Sequence, residues 1–254
     1  MRSSAIGVLA GLALGGGGCN LVLGVERDTR PCGDESFSNA APSDVTAAEL
    51  FSVSWDGDRM VYASGGVLYE QALPAGEPAA IDATLYPALA LALAPEGDAM
   101  FITAQVEPPL LQAAVRSGPA RWAPDAIVPA GALAGSPSAA EFGPRRVLVR
   151  LRFGAPEVQE YEADDNRWAP VGDIHAIGGT FAPNLTPSGL DMVYGDSSGD
   201  SPAVFVAHRA STAAWFGAPV AIMAGAHAFP QLLDRCRALY TLDTTDHVVR
   251  RYER

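Results

Sequence analysis

The sequence predicts an all-β fold of the β-propeller type, and three features support this prediction. Five times an apolar strand runs into a tight turn and returns as a second apolar strand, with the turns centred on Gly57, Gly97, Gly143, Gly189 and Cys236. These turn positions are 40, 46, 46 and 47 residues apart. A third strand is predicted after each hairpin, and a fourth strand in every unit but the last. Repeats of about 45 residues with four antiparallel strands are typical of propeller blades.

The hairpin turns carry residues that suit a reversal of the chain. Asp56-Gly57, Glu96-Gly97 and Ser188-Gly189 place glycine where such a turn needs a positive φ angle. The fifth hairpin has Arg235-Cys236 at this place. The acids in or beside these turns, including Asp234, are therefore interpreted as turn residues.

The later strands of each unit are marked by β-branched and aromatic residues. Third strands are predicted at 67–69, 110–112, 158–161, 204–206 and 248–250. Tryptophans occupy similar places before the fourth strands, at Trp122, Trp168 and Trp215. An aromatic residue at one fixed place in a repeat predicts packing between neighbouring units.

The fifth unit has only three predicted strands, because the sequence stops at Arg254. A propeller must cover the edges of its sheets, and a strand from the other terminus commonly completes the last blade. Residues near 36–41 are predicted to supply that strand.

The N-terminal residues predict export. Arg2, the apolar stretch 5–14 and the small residues 15–18 form a signal peptide that ends before Cys19. This arrangement resembles the lipobox of bacterial lipoproteins, which implies that Cys19 is acylated, for example by palmitate. An ordinary signal peptide cut nearby is the alternative. The predicted organisation is a signal peptide at 1–18, a tether with a possible closing strand at 19–45, and a propeller at 46–254.

Two further cysteines remain, Cys32 before the first repeat and Cys236 inside the last. In an exported protein such a pair predicts a disulfide bond, which would close a loop of about 200 residues and add at most about 5 kcal/mol to stability. Two unpaired thiols are the alternative.

The fourth unit resembles a known repeat family. Its segment 185–194 reads Leu-Thr-Pro-Ser-Gly-Leu-Asp-Met-Val-Tyr and is followed by Val-Phe-Val-Ala-His-Arg at 204–209. This is similar to the TolB-type repeats known as WD40-like or PD40. The resemblance implies a propeller fold, with six blades as an alternative to five, and implies no activity.

The composition argues against several functions. The net charge is −12 and all 17 basic residues are arginine, without a basic stripe, so binding of nucleic acid or of an anionic membrane surface is not predicted. No sequence motif for a catalytic nucleophile, a phosphate-binding loop, a metal or a cofactor is present. His175, His208, His227 and His247 lie at non-equivalent places in their units. The acidic segments 164–166 and 196–200 are interpreted as turns rather than calcium loops.

A glycosidase would need two carboxylates facing each other across the centre of the ring. The predicted innermost strands carry only Glu141. The sequence therefore predicts a non-enzymatic, protein-binding or scaffold propeller with an envelope protein as its partner. The membrane would be reached only through the N-terminal lipid, most simply at the outer membrane, and no cofactor is predicted. Candidate binding loops are 105–109 and 196–200.

A glycan-binding or small-ligand lectin is the main alternative function, and a five-bladed glycosidase is a more distant one. A lectin would require Trp122, Trp168 and Trp215 to be partly exposed between the blades.

Overall fold

The computed structural model describes residues 32, 37, 40–42, 45–81, 85, 87–94, 97–104, 110–127, 137–141, 145–150, 157–164, 167–176, 183–186, 188–196, 201–233 and 236–254. The predicted signal peptide, Cys19 and the loop 105–109 lie outside these residues.

The described residues form twenty strands in five antiparallel sheets of four strands each. The strands are β1 (Ala40–Pro42), β2 (Leu50–Val53), β3 (Arg59–Ser64), β4 (Val67–Ala72), β5 (Ala79–Ala80), β6 (Ala88–Leu93), β7 (Ala99–Ala104), β8 (Leu110–Gly118), β9 (Arg121–Ile127), β10 (Pro137–Glu141), β11 (Arg145–Arg150), β12 (Glu157–Asp164), β13 (Arg167–Ala176), β14 (Asn184–Leu185), β15 (Asp191–Asp196), β16 (Ala203–His208), β17 (Val220–Ala224), β18 (His227–Leu233), β19 (Ala238–Asp243) and β20 (Val248–Glu253).

Each sheet is one blade, and the blades close into a ring. Blades 1 to 4 are β2–β5, β6–β9, β10–β13 and β14–β17, and blade 5 has the strand order β1-β20-β19-β18. The innermost strands β2, β6, β10, β14 and β18 contact one another in sequence, and β18 contacts β2. The five-bladed prediction is therefore confirmed, and the six-bladed alternative is wrong for the residues that the structure describes.

The closing strand comes from the N-terminal side, as the sequence predicts. Strand β1 pairs antiparallel with β20, with Ala40 opposite Tyr252 and Pro42 opposite Arg250. The strand lies at Ala40–Pro42, slightly later than the predicted 36–41. This pairing covers one edge of β20, which would otherwise expose a row of unpaired backbone groups.

A disulfide bond between Cys32 and Cys236 joins the same two parts of the chain. The two Cα atoms are 5.5 Å apart, a normal separation for a disulfide. Cys32 is buried in an apolar cluster between blades 4 and 5 that includes Phe37, Val204 and Leu239. The bond therefore attaches the N-terminal segment to the last hairpin turn.

The hairpin turns share one backbone conformation. Their central residues Gly57, Gly97 and Gly189 have φ angles of 76°, 69° and 68°, and Cys236 has a φ angle of 67°. A residue with a Cβ atom loses roughly 1–2 kcal/mol in this left-handed region. Cys236 thus takes the place of a turn glycine, and the disulfide bond accounts for a cysteine at this strained position.

The apolar core lies between adjacent blades. One cluster joins blades 5 and 1 around Phe51, Met60 and Tyr240. A second joins blades 1 and 2 and includes Met100 and Trp122. The apolar core of the described residues is therefore a series of clusters between neighbouring blades.

The fourth strands begin earlier than predicted. Trp122 and Trp168 lie inside β9 and β13 rather than before them. Pro124 is part of β9, opposite Ala114 of β8. A proline is tolerated there because β9 is the outermost strand of its blade, where an N–H group has no further strand to bind.

The strain at position 236 can be tested with two variants that both lack the disulfide. Cys32→Ser/Cys236→Gly should be more stable than Cys32→Ser/Cys236→Ser by about 1 kcal/mol, because only glycine adopts this φ angle without a steric cost. Both should be less stable than the parent protein by about 2–5 kcal/mol. Urea unfolding followed by circular dichroism measures the three values. Equal stability of the two variants would contradict a strained turn.

Candidate functional site

The polar side chains of the innermost strands bond across the boundaries between blades. Ser52 Oγ accepts hydrogen bonds from the Leu93 N–H at 2.8 Å and from Gln231 Nε2 at 2.9 Å. Gln231 Oε1 accepts one from the Val53 N–H at 2.7 Å. Blades 5, 1 and 2 are thereby connected, and these buried groups hold the ring together instead of facing a ligand.

The innermost strands carry a single carboxylate. Glu141 ends β10, and it is the only acid in the sequences of β2, β6, β10, β14 and β18. The residue opposite Glu141 in the hairpin is Arg145. The innermost strands that the structure describes therefore do not supply the pair of acids that a glycosidase mechanism requires.

An arginine occurs at one equivalent position in three blades. The backbone N–H groups of Arg116, Arg209 and Arg254 donate to the carbonyl oxygen of the residue after the turn centre of their own blade, at 2.8, 2.9 and 3.1 Å. These acceptors are Asp98, Leu190 and Arg237. The side chain of each arginine then contacts a neighbouring part of the ring.

Arg116 bonds to Glu70 of blade 1. Its Nε and Nη2 atoms lie 3.0 and 2.7 Å from Glu70 Oε1. Glu70 Oε2 accepts a hydrogen bond from Trp122 Nε1 at 2.9 Å, and Arg59 Nε lies 3.3 Å from Oε1. Burial alone would raise the pKa of Glu70, but the bonds from Arg116 and Trp122 and the nearby arginine charges lower it below its ordinary value of 4.5.

Arg209 makes the corresponding connection between blades 4 and 3. Its Nη1 atom lies 2.6 Å from Glu160 Oε1, and both side chains are buried. Its Nε donates to the Gly189 carbonyl at 2.6 Å, and the guanidinium lies 4.5 Å from the centre of the Phe216 ring. This arginine belongs to the segment that resembles the PD40 repeat, and its contacts are structural.

Arg254 extends the pattern to the closing segment. Its Nη2 donates to the carbonyl oxygen of Cys32, and its guanidinium lies 4.6 Å from the centre of the Phe37 ring. In blades 2 and 4 the equivalent arginine contacts the preceding blade. In blade 5 it contacts the N-terminal segment instead.

The turns between the first and second strands of blades 1, 2, 4 and 5 share one end of the ring, which we call the hairpin face (its described residues are 54–58, 94, 97–98, 186, 188–190 and 236–237). The turns of blades 1 and 2 touch each other there. Arg59 Nη1 donates to the Gly97 carbonyl at 2.9 Å, and a Cβ atom at Gly97 would lie 3.0 Å from Ser54 Cβ. These two turns hold each other in place.

Trp55 stands at the tip of the first of these turns with 42% of its surface exposed. Asp56, Asp58 and Asp98 of the same two turns are also exposed. Asp56 Oδ1 accepts hydrogen bonds from Ser54 Oγ at 2.7 Å and from the Asp58 N–H at 3.1 Å, which confirms its predicted role in the turn. We call Trp55, Asp56, Asp58 and Asp98 the Trp55 patch.

Trp122 and Trp215 are less available for binding than Trp55. Trp122 is only 3% exposed and packs between blades, as predicted from its place in the repeat. Trp215 is half-buried and stacks on His175 of the preceding blade, with the ring centres 3.7 Å apart. The lectin alternative predicted that Trp122 is partly exposed, and this prediction is wrong. The side chain of Trp168 lies outside the described residues.

The histidines have separate surroundings. His208 Nδ1 lies 2.9 Å from Asp191 Oδ1, while His227 Nδ1 lies 3.1 Å from Thr241 Oγ1. Burial lowers the pKa of His227, and the Arg250 charge adds to this effect, whereas Asp243 opposes it. His247 has a positive φ angle in the turn before β20. Among the described residues, the group of possible metal ligands consists of Cys32, Asp191 and Cys236 and includes no histidine.

The predicted binding loops lie mostly outside the described residues. Asp196 ends β15 and its charge contributes to a raised pKa of Tyr194, for which burial is the larger cause. Residues 197–200 and 105–109 are not described.

The Trp55 patch was not predicted as a site. The sequence does contain a signal, because tryptophan is unusual in a tight turn that is otherwise made of Ser, Asp and Gly. Its exposure and the contact of its turn with Gly97 of the next blade depend on tertiary structure.

The fold and these contacts define a five-bladed β-propeller whose blades are joined by buried ion pairs. Among solved structures, a TolB-like protein from Agrobacterium tumefaciens is similar with a TM-score of 0.52 and 14% identity, over 79% of this chain and 72% of that protein. TolB from Acinetobacter baumannii has a TM-score of 0.50 and 14% identity, over 82% and 55%.

A protein of unknown function from Desulfotomaculum acetoxidans has a TM-score of 0.52 and 16% identity, over 83% of this chain and 63% of that protein. No family model and no curated protein matches the sequence. At these identities the similarity concerns the fold alone. The predicted resemblance to TolB-type propellers is confirmed at that level.

The Glu70 ion pair can be tested by substitution. Glu70→Gln should lower the free energy of unfolding at pH 7 by about 2–3 kcal/mol, because two arginines lose their buried partner. Glu77→Gln, an exposed acid of the same blade, should change it by less than about 0.5 kcal/mol. Urea unfolding measures both.

The stability of the protein should also depend on pH through the Glu70 ion pair. The pKa of Glu70 is lowered in the folded protein. The stabilisation of the fold by ionised Glu70 is therefore complete above pH 4.5, and it is lost as the pH falls through the folded-state pKa. Between pH 7 and pH 3 the parent protein should therefore lose more stability than Glu70→Gln does. Equal losses would mean that Glu70 does not contribute to the acid sensitivity.

Proposed function

We propose that this chain is a non-enzymatic, protein-binding propeller of the bacterial cell envelope, attached to the outer membrane by a lipid on Cys19. The observation that carries the proposal is the exposure of Trp55 on a rigid face of the ring. The partner is a protein that presents a basic and apolar segment to this face.

Trp55 has the properties of a binding anchor. Tryptophan is the residue type most enriched among side chains that dominate binding energy at protein interfaces. Its turn is held by the contact of Arg59 with Gly97, and blade 2 is held in turn by the bond of Arg116 to Glu70. A site that is already ordered spends little binding energy on ordering its side chains.

The charge around Trp55 determines which partner chemistry fits. Asp56, Asp58 and Asp98 are exposed on the same two touching turns as Trp55, and the whole chain has a net charge of −12. Such a surface attracts arginine or lysine beside an apolar side chain and repels nucleic acid and anionic lipid. Binding should therefore weaken as the salt concentration rises.

The cellular location is inferred from the N-terminal residues and the cysteines. A positive and apolar segment ends in small residues before Cys19, which is the pattern of a lipidated signal peptide. The disulfide bond between Cys32 and Cys236 suits an oxidising compartment outside the cytoplasm. Among the described residues, no helix is long and apolar enough to cross a membrane.

The binding proposal is tested by crosslinking in cells followed by mass spectrometry of the membrane-extracted protein. One envelope protein should recur among the products of the parent chain, with crosslinks at the hairpin face. Trp55→Ala should reduce the yield of this product at least tenfold, because the anchor of the interface is removed.

Val220→Ala is the matched control, since Val220 is 51% exposed but lies on the outermost strand of blade 4. It should leave the yield unchanged. Equal yields from the parent and Trp55→Ala would exclude the Trp55 patch as the interface. The absence of any recurrent protein product would reject the protein-binding function itself.

The lipid anchor is tested separately by metabolic labelling with an alkyne analogue of palmitate. The parent chain should be labelled and should fractionate with the outer membrane, whereas Cys19→Ser should be unlabelled and soluble after cell lysis. Cys32→Ser is the control, because it removes a cysteine without removing the acceptor. Labelling of Cys19→Ser would show that Cys19 is not the lipidated residue.

A further inference from the structure

A second group of chemically active side chains lies where the N-terminal segment meets blades 4 and 5. Cys32 comes from that segment, Cys236 from the last hairpin turn and Asp191 from the start of β15. Their sulfur atoms and one carboxylate oxygen all lie within 4.8 Å of one another. Residues of three different elements thus point at one place.

The carboxylate of this group is fixed in position. Asp191 is only 6% exposed, and its Oδ1 atom lies 2.9 Å from His208 Nδ1. The same oxygen accepts a hydrogen bond from the Cys32 N–H at 3.4 Å. The His208 side chain is 35% exposed, so it connects the buried carboxylate with solvent.

We propose that Cys32, Cys236 and Asp191 form a binding site for one zinc-like divalent ion when the disulfide bond is reduced. Two thiolates and a carboxylate are ligands that Zn²⁺ accepts, and a water molecule completes the usual four positions. Thiolate ligands disfavour Ca²⁺ and Mg²⁺. His208 is a positioning residue that orients Asp191 through its hydrogen bond.

The chemistry has two balanced steps. A dithiol reductant transfers two electrons and two protons to the Cys32–Cys236 bond, which gives two thiols and the disulfide of the reductant. The metal ion then binds both sulfurs, and the two thiol protons pass to solvent. With Zn–S bonds of about 2.3 Å the sulfurs stand about 3.8 Å apart, and the Cα separation of 5.5 Å accommodates this distance.

The ring can therefore be closed by either of two crosslinks, a disulfide bond or a bound metal ion. Under oxidising conditions the disulfide bond attaches the N-terminal segment to blade 5. Under reducing conditions the metal ion holds the same two cysteines and adds blade 4 through Asp191. Because a metal that binds only the folded state stabilises it, the closing strand would stay in place in both forms.

The test uses the full chain with Cys19→Ser, so that its only thiols are those of Cys32 and Cys236. The protein is reduced without oxygen and titrated with Co²⁺, which reports thiolate ligands by an ultraviolet charge-transfer band and tetrahedral geometry by its visible bands. One equivalent should bind, Zn²⁺ should displace it, and the oxidised chain should show neither band.

Two variants separate a ligand from its positioning residue. His208→Gln should weaken the affinity about 10–100-fold, as expected for an outer partner of a ligand, and Asp191→Asn should weaken it more than that. Glu253→Gln, an exposed acid of blade 5, the blade that carries Cys236, should have no effect. Circular dichroism of each reduced variant checks that it is folded.

Several results would overturn the proposal. These are no saturable Co²⁺ binding by the reduced chain, an unchanged affinity in Asp191→Asn, or equal binding by the oxidised chain. If the reduced chain unfolds, added Zn²⁺ should refold it and raise its melting temperature. Failure of Zn²⁺ to do so would also reject the site.

Discussion

Closure of the ring is the constraint on which the rest of this structure depends. Blade 5 has three strands from the C-terminal part of the chain and one from the N-terminal part, so its sheet is complete only when β1 pairs with β20. Without that strand, β20 would expose a row of backbone donors and acceptors. The same junction contains the Cys32–Cys236 bond and the contacts of Arg254 with Cys32 and Phe37. Strand pairing, a disulfide bond and the contacts of Arg254 therefore all hold the N-terminal segment against blade 5.

The boundaries between blades follow a common design. Apolar clusters supply most of the buried surface, and an arginine at an equivalent position adds a directed contact across the boundary. Arg116 meets Glu70 and Arg209 meets Glu160. An isolated buried charge would be costly, and these pairs and their extra hydrogen bonds offset that cost. Arg209 is therefore explained by its contacts with blade 3 and with its own turn.

The same rigidity supports the proposed location of the binding site. The polar side chains of the innermost strands already bond across blade boundaries, so they offer little to a ligand. The hairpin face is held by contacts such as Arg59 with Gly97 and still exposes Trp55 and three aspartates. A rigid scaffold that presents exposed turns is a common arrangement for protein recognition. Cys236 and Asp191, which lie beside Cys32, belong to blades 5 and 4, whereas the Trp55 patch belongs to blades 1 and 2.

The sequence by itself predicted the class of fold, the five units, the closing strand and the pairing of Cys32 with Cys236, with six blades and two unpaired thiols as alternatives. These features depend on local signals, such as turn glycines and strand alternation, and on their repetition along the chain. Only the tertiary structure decided the partners of the charged residues, the burial of Trp122, the exposure of Trp55 and the contacts of Asp191. Asp191 and Cys32 are 159 residues apart in the chain, and no local pattern specifies such a contact. It exists because the ring closes.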